Sequence, residues 1–276
     1  MKTLTMHNYL VGVVAAEMPA SFEPEALKAQ AVAARTYTYY KMVNDSNHDN
    51  ADVCDDCNCC KAYLSSEDLK SRWADKYDFN MEIITSAVTE TDGLLVTYER
   101  APILAAFHSS SSGYTEDSEN VWQTPLPYLV SVESPEGETC VPNYCSEINV
   151  SFDEFKRMVK ADYPDAVFEG EPDSWIADVI YSDSGRIISV AVGGAEMTGT
   201  NLRRLFGLRS AAVVWTIGES GFMFKATGYG HGVGMSQYGA NEFAKQGAVF
   251  SDILTYYYKG TEVHSIQTVQ SDQNQV

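Results

Sequence analysis

Pro19 stands two residues beyond a lone glutamate, and that pairing constrains the start of this chain more than any other feature. The run Val11-Gly12-Val13-Val14-Ala15-Ala16-Glu17-Met18-Pro19 is apolar or small throughout, Glu17 excepted. Proline disfavours the helical conformation in the residue before it, so a helix through Val13 ends beside Glu17. A carboxylate in such a run must be neutral, paired or at work, because charges are seldom buried alone. Burial and the negative end of a helix both oppose ionisation, and both raise a carboxyl pKa. A carboxyl group so placed can hand over a proton near neutral pH. On these nine residues alone, an acid on an ordinary surface helix is the plainer reading.

Glu23-Pro24-Glu25 opens a second helix, with proline in its first turn and acids near its positive end. This helix runs to about Met42, and Ala26, Ala29, Ala31, Ala33 and Ala34 let another element come close. Lys28, Val32, Arg35 and Tyr39 share one face at heptad spacing. Lys28 and Arg35, two turns apart and near Glu17 in sequence, suit an anionic or polyhydroxyl ligand. Two solvated basic residues would have the same spacing.

Further on, helices are expected over 66–77 and 81–91, and a strand over Leu94–Tyr98 after the Thr91-Asp92-Gly93 turn. Residues 103–108 read as its hairpin partner, followed by a small polar loop from Ser109 to Gly113. Residues 152–158 and 198–206 read as helices. Residues 175–181 and 186–192 read as a second hairpin, and 213–217 and 221–227 as further strands. A helix over 235–246 and the segment 253–258 close the pattern. It is a mixed α+β arrangement of helices and antiparallel hairpins, without the regular alternation of a doubly wound sheet. One domain is expected over 1–267, carrying a polar cysteine-rich loop at 44–63, with a disordered polar tail at 268–276.

The net charge of −19 argues against nucleic acid or an anionic membrane surface as partner. No apolar run approaches the ~20 residues that cross a bilayer. Cysteines fall in two groups. Cys140 and Cys145 flank Pro142 and read as a small disulfide loop or as two free thiols. Cys54, Cys57, Cys59 and Cys60 crowd together downstream of His48. Thiolates and an imidazole suit zinc, and His48, Cys54 and Cys60 leave a fourth place for Cys57, Asp52, Asp55 or water. Disulfides within the cluster are the competing reading.

The segment Gly228-Tyr229-Gly230-His231-Gly232-Val233-Gly234-Met235-Ser236-Gln237-Tyr238-Gly239 lets backbone approach a ligand, with a helix starting just after. It lacks the lysine and spacing of a phosphate loop. Its histidine and tyrosines suit stacking on a sugar ring, and a glycine-rich turn with a structural histidine is the alternative.

These segments carry a resemblance. Tyr9 to Pro19, Glu25 to Tyr37, Phe107-His108-Ser109-Ser110-Ser111-Ser112-Gly113-Tyr114-Thr115-Glu116, Pro127 to Val132 and the glycine-rich loop together resemble the stage II sporulation protein D family, in order along the chain. Members of that family are lytic transglycosylases that cut peptidoglycan glycan strands during engulfment of the forespore. The resemblance makes Glu17 the match to the family's catalytic glutamate, and makes the serine and glycine-rich loops the walls of its cleft. It also implies zinc, since some members bind it through one histidine and two cysteines, and His48, Cys54 and Cys60 fit. Family members carry an N-terminal membrane helix outside this sequence, which implies an extracytoplasmic, membrane-anchored protein. They work alongside an amidase, stage II sporulation protein P. Cys57 and Cys59 have no match in the family pattern, and Lys61 stands where the family more often has glutamine.

One carboxyl group suffices for a lytic transglycosylase, because the muramoyl 6-hydroxyl is a tethered nucleophile. Lys28, Arg35, Ser109, Ser110, Tyr229, His231 and Gln237 are the candidates for holding sugar hydroxyls, acetamido groups or the muramic carboxylate. Glu116 and Asp117 are the nearest candidates for a second acid, which would make a hydrolase instead. A zinc-dependent hydrolase of cell-wall peptide and a non-catalytic glycan-binding scaffold are the competing functions.

Overall fold

The computed structural model describes residues 2–44, 48, 50–56 and 59–268. The fold is α+β, as the pattern of helices and hairpins implied. The chain forms two compact units, Met1–Phe107 with Ala240–Val276, and His108–Gly239. No helix among the described residues is long and apolar enough to cross a membrane. Of the expected tail, Thr268 is tied to Ser265 through its backbone N–H at 3.3 Å, and 269–276 lie outside the described residues.

The first unit is organised on α2 (Pro24–Asn44), whose alanine-rich face and Leu27 and Val32 are fully buried. Small side chains let α1 (Met6–Glu17), α4 (Tyr77–Glu90), the strand Leu94–Tyr98 and the helix Phe250–Tyr257 all pack against it. Thr36 Oγ1 accepts from Val96 N–H at 2.9 Å, fixing the strand to the helix. That strand is flanked by Glu262–Ser265 and by Ala101–Pro102, both antiparallel. The expected hairpin partner at 103–108 is therefore displaced by two residues around Pro102, which has no N–H to extend a ladder. The helices expected at 66–77 and 81–91 run Ser66–Trp73 (α3) and Tyr77–Glu90, joined by a 3-10 turn at Ala74–Lys76. Gly12 packs against the ring of Tyr63, where a Cβ would overlap the ring carbons, and Leu64 N–H donates to Gly12 O at 3.3 Å.

The second unit holds two three-stranded antiparallel sheets. In one, Gly221–Thr227 lies between Cys145–Ser151 and Val213–Ile217; in the other, Ile187–Val192 lies between Ile176–Tyr181 and Ala195–Thr198. The strands at 145–151 and 195–198 were not read from the sequence, although Glu147–Ser151 and Ala195–Thr198 alternate polar and apolar residues; the alternating runs are only five and four residues long. The core is aromatic: Phe155 from the helix Phe152–Asp162 stacks on Phe206 at 5.1 Å and meets Phe222 at 4.5 Å.

Candidate functional site

Thr5 caps α1 by accepting from Asn8 N–H at 3.2 Å, and the buried Leu10, Val13 and Val14 hold the helix in the core. Glu17 is its last residue. Met18 leaves the helix with extended angles while its N–H still reaches Val14 O at 2.9 Å. Glu17 is half-buried, and the unsatisfied carbonyl end of α1 lies beside it.

Lys28 and Arg35 do share one stripe of α2, but that stripe faces α4. Lys28 Nζ bridges Glu25 at 2.8 Å and Glu90 at 2.7 Å, and those carboxylates raise its pKa. Arg35 is only 3 % exposed. It donates to Thr91 O at 2.7 Å, Leu94 O at 3.3 Å and Val88 O at 3.2 Å, so it ties down the carbonyl end of α4. Burial pulls its pKa down to about 10 against the upward influence of Asp92. Arg35, expected to hold a sugar, thus has Nη1 and Nη2 engaged by backbone carbonyls of its own unit.

His48, Cys54, Cys59 and Cys60 bring their ligand atoms within 4.8 Å of one another. His48 Nε2 lies 3.4 Å from Cys60 Sγ and 3.6 Å from Cys59 Sγ. The N–H groups of Cys59 and Cys60 both bond to Asp56 O, which folds the adjacent cysteines inward. Cys59, unmatched in the sequence reading, takes the fourth place; Cys57 lies outside the described residues, and neither Asp52 nor Asp55 joins the group. The hydrogen bond from Cys54 pushes Cys59 up to about 11, while burial pushes Cys54 up but is outweighed by its hydrogen bonds with the Asp56 backbone, Cys59 and Cys60, which together bring it down. Tetrahedral zinc with ~2.3 Å bonds to sulfur sets its thiolates about 3.8 Å apart, so the group fits that ion with little closure.

In the second unit the serine and glycine-rich loops come together as expected. Ser110 N–H donates to Tyr229 O at 3.1 Å and Tyr229 N–H to Ser110 O at 2.8 Å. Gly228 has a φ of +77°, and a Cβ there would come within 2.7 Å of Ser110 O, so glycine permits this approach. Tyr238 N–H reaches Ser109 O at 3.0 Å. Ser109 and His231 are half-buried and Tyr229 is exposed, whereas Ser110 and Gln237 are buried and turned away from solvent, against expectation. His108 Nδ1 donates to Val233 O at 3.2 Å, which leaves Nε2 to accept from Ser111 Oγ at 2.8 Å. Burial, then the nearby His231, holds its pKa well below 6.5. His231 Nδ1 accepts from Val233 N–H at 3.1 Å, so a neutral His231 carries its proton on Nε2.

Three carboxylates beside these loops are committed to structure. Glu116 accepts from Ser182 Oγ at 2.5 Å, Ser184 Oγ at 2.7 Å, Asn120 Nδ2 at 2.8 Å and Asp117 N–H at 2.9 Å. Asp117 accepts from Ser131 N–H, and Glu136 from Ser111 N–H, Ser134 Oγ and Ser236 Oγ. Cys140 and Cys145 are free thiols: one donates to Gly137 O at 3.4 Å inside a turn, the other to Glu138 at 3.3 Å from the start of a strand. The disulfide reading of that pair is corrected accordingly.

A family model described as stage II sporulation protein matches residues 1–98. Stage II sporulation protein D of Bacillus subtilis is 38% identical over 268 residues, covering 95% of this chain and 75% of that protein. Its counterpart in Bacillus amyloliquefaciens is 38% identical over 265 residues, with the same coverage. A Bacillus subtilis protein named amidase enhancer is 28% identical over 314 residues, covering 93% of this chain and 40% of its own length.

Proposed function

The chain belongs to the stage II sporulation protein D family, and from that premise we propose that it is a peptidoglycan lytic transglycosylase of the cell envelope. The observation that carries the proposal is Glu17, a half-buried carboxyl group at the carbonyl end of an apolar helix. In its neutral form Glu17 protonates the oxygen joining N-acetylmuramic acid to N-acetylglucosamine, and the bond from that oxygen to the muramoyl anomeric carbon breaks. The resulting carboxylate takes the proton of the muramoyl 6-hydroxyl as that oxygen bonds to the same carbon. Glu17 ends protonated, the product is a 1,6-anhydromuramoyl end, and no water is consumed. Digestion of glycan strands in heavy-oxygen water tests it. The new muramoyl ends should be unlabelled and lighter by one water than a hydrolase's product, and labelled reducing ends would make the protein a hydrolase.

His48, Cys54, Cys59 and Cys60 would hold zinc in this reading. When bound, the ion cross-links the loop. Four protein ligands leave no open position for water, which supports a structural role over a zinc hydrolase. Purified protein should carry close to one zinc per chain, and Cys59→Ser or Cys60→Ser should release it and lower the melting temperature. Native protein without zinc and with the cluster oxidised would decide for disulfides. The relative named amidase enhancer supports a partner amidase for this chain as well.

A further inference from the structure

We propose that Tyr9 serves the metal group from behind its ligands: the phenol O–H donates to the buried thiolate of Cys60 when the ion is bound, and so fastens α1, the helix that ends in Glu17, to the cysteine loop. The proposal rests on the zinc reading above. Tyr9 stands on α1 about two turns before Glu17. Its Oη is buried and makes no hydrogen bond. A hydroxyl in that position has lost its water without compensation, and a phenylalanine would fill the same space with no polar atom to satisfy. The oxygen therefore calls for an acceptor, and a thiolate is a far stronger one than a neutral thiol.

The surroundings of Tyr9 supply that acceptor. Burial first, then Cys60, keep its phenol protonated, with Cys54 a weaker influence of the same sign. Cys60 is 3 % exposed and is the most enclosed of the four candidate ligands. Thr38 of α2 also acts on the phenol, but its own hydroxyl proton goes to Ala34 O at 2.8 Å. The ring is already fixed. It stacks on Tyr63 at 5.8 Å and 9°, and Tyr63 in turn abuts Gly12, one turn further along α1. Lys61, the residue after Cys60, holds its ammonium 3.9 Å from the ring centre of Tyr37 and 3.7 Å from that of Phe107. The stretch from Cys60 to Leu64 is thus held against α1 and α2, with the phenol beside Cys60.

A thiolate bound to a cation keeps part of its negative charge, which is destabilising in a water-poor site unless a donor meets it. Groups that hydrogen-bond to metal ligands change metal affinity by roughly 10- to 100-fold. Here the donor sits on a different element from the ligands. Coupling of this kind is reciprocal: the ion steadies α1, and a seated α1 tightens the grip on the ion.

The test compares Tyr9→Phe with the parent, each loaded with zinc or with cobalt(II). The substitution keeps the ring on Tyr63 and removes one oxygen. Zinc affinity, read by competition with a chelator, should fall about tenfold. The sulfur-to-cobalt charge-transfer band should move to longer wavelength, because a thiolate relieved of a hydrogen bond donates more charge to the metal. The visible bands of tetrahedral cobalt should stay in place. The loaded variant should melt below the loaded parent, and the metal-free variant no lower than the metal-free parent; a hydroxyl with a merely structural role would lower both. Zinc should also slow amide exchange along α1 more in the parent than in the variant. A Tyr9→Phe protein with the parent's zinc affinity and charge-transfer band overturns the proposal and leaves the zinc reading standing. A parent that takes up neither ion removes both.

Discussion

Glu17→Gln should fold as the parent does and lose glycan cleavage by a factor of about 10² to 10⁴, the usual contribution of a positioned acid and base. Glutamine keeps the size and hydrogen-bonding reach of the side chain at the end of α1 but can neither supply nor shuttle a proton. Glu17→Ala should be equally inactive. Alanine is a strong helix former and joins Ala15 and Ala16, while the buried anchors Leu10, Val13 and Val14 are untouched. The measurement is release of anhydro ends alongside far-ultraviolet circular dichroism. Parent-level turnover by a folded glutamine variant would remove Glu17 from the chemistry. The parent's rate should fall at high pH, because the cycle starts with Glu17 protonated.

Glu116→Ala should cost the second unit roughly 3–5 kcal/mol, the scale for leaving a buried charge without its partner. Glu116 is 1 % exposed and accepts from four donors. Arg186, equally buried, draws on its charge: burial lowers the Arg186 pKa and Glu116 is the first group opposing that. Removal of the carboxylate strands the donors of Ser182, Ser184 and Asn120 and leaves a cation in the core. Denaturant unfolding followed by the tryptophans of that unit reads the loss. If instead the variant were as stable as the parent and merely inactive, Glu116 would belong to the reaction rather than to the scaffold.

Much of the first unit was legible because its signals are local. Proline sets where α1 stops, and alanine density identifies the helix that others crowd. The serine and glycine-rich loops were each visible in composition, but their pairing came only from the family resemblance. What sequence spacing does not carry is destination. Lys28 and Arg35 were correctly placed on one stripe, but only the fold decides that the stripe meets α4, whose terminal carbonyls absorb the guanidinium. Cys59 joins His48 because Asp56 folds two adjacent cysteines back, a turn with no marker in residue type. Ser110 and Gln237 read as polar loop residues and are nevertheless interior.

The chain order of the two units has a consequence for how the protein comes to be folded. The second unit is one uninterrupted stretch, while the first is written in two pieces on either side of it. Thr97 in the central strand of the first unit bonds to Glu262, 165 positions later. During synthesis from the N-terminus that strand waits, lacking its longer neighbour, until the whole intervening unit has left the ribosome. Closing so long a loop as random chain carries an entropic cost that grows with the logarithm of its length. Prior folding of the intervening unit shortens the free chain that remains to be closed. The segment that carries Glu17 thus acquires its finished surroundings last, after the serine and glycine-rich loops are already built.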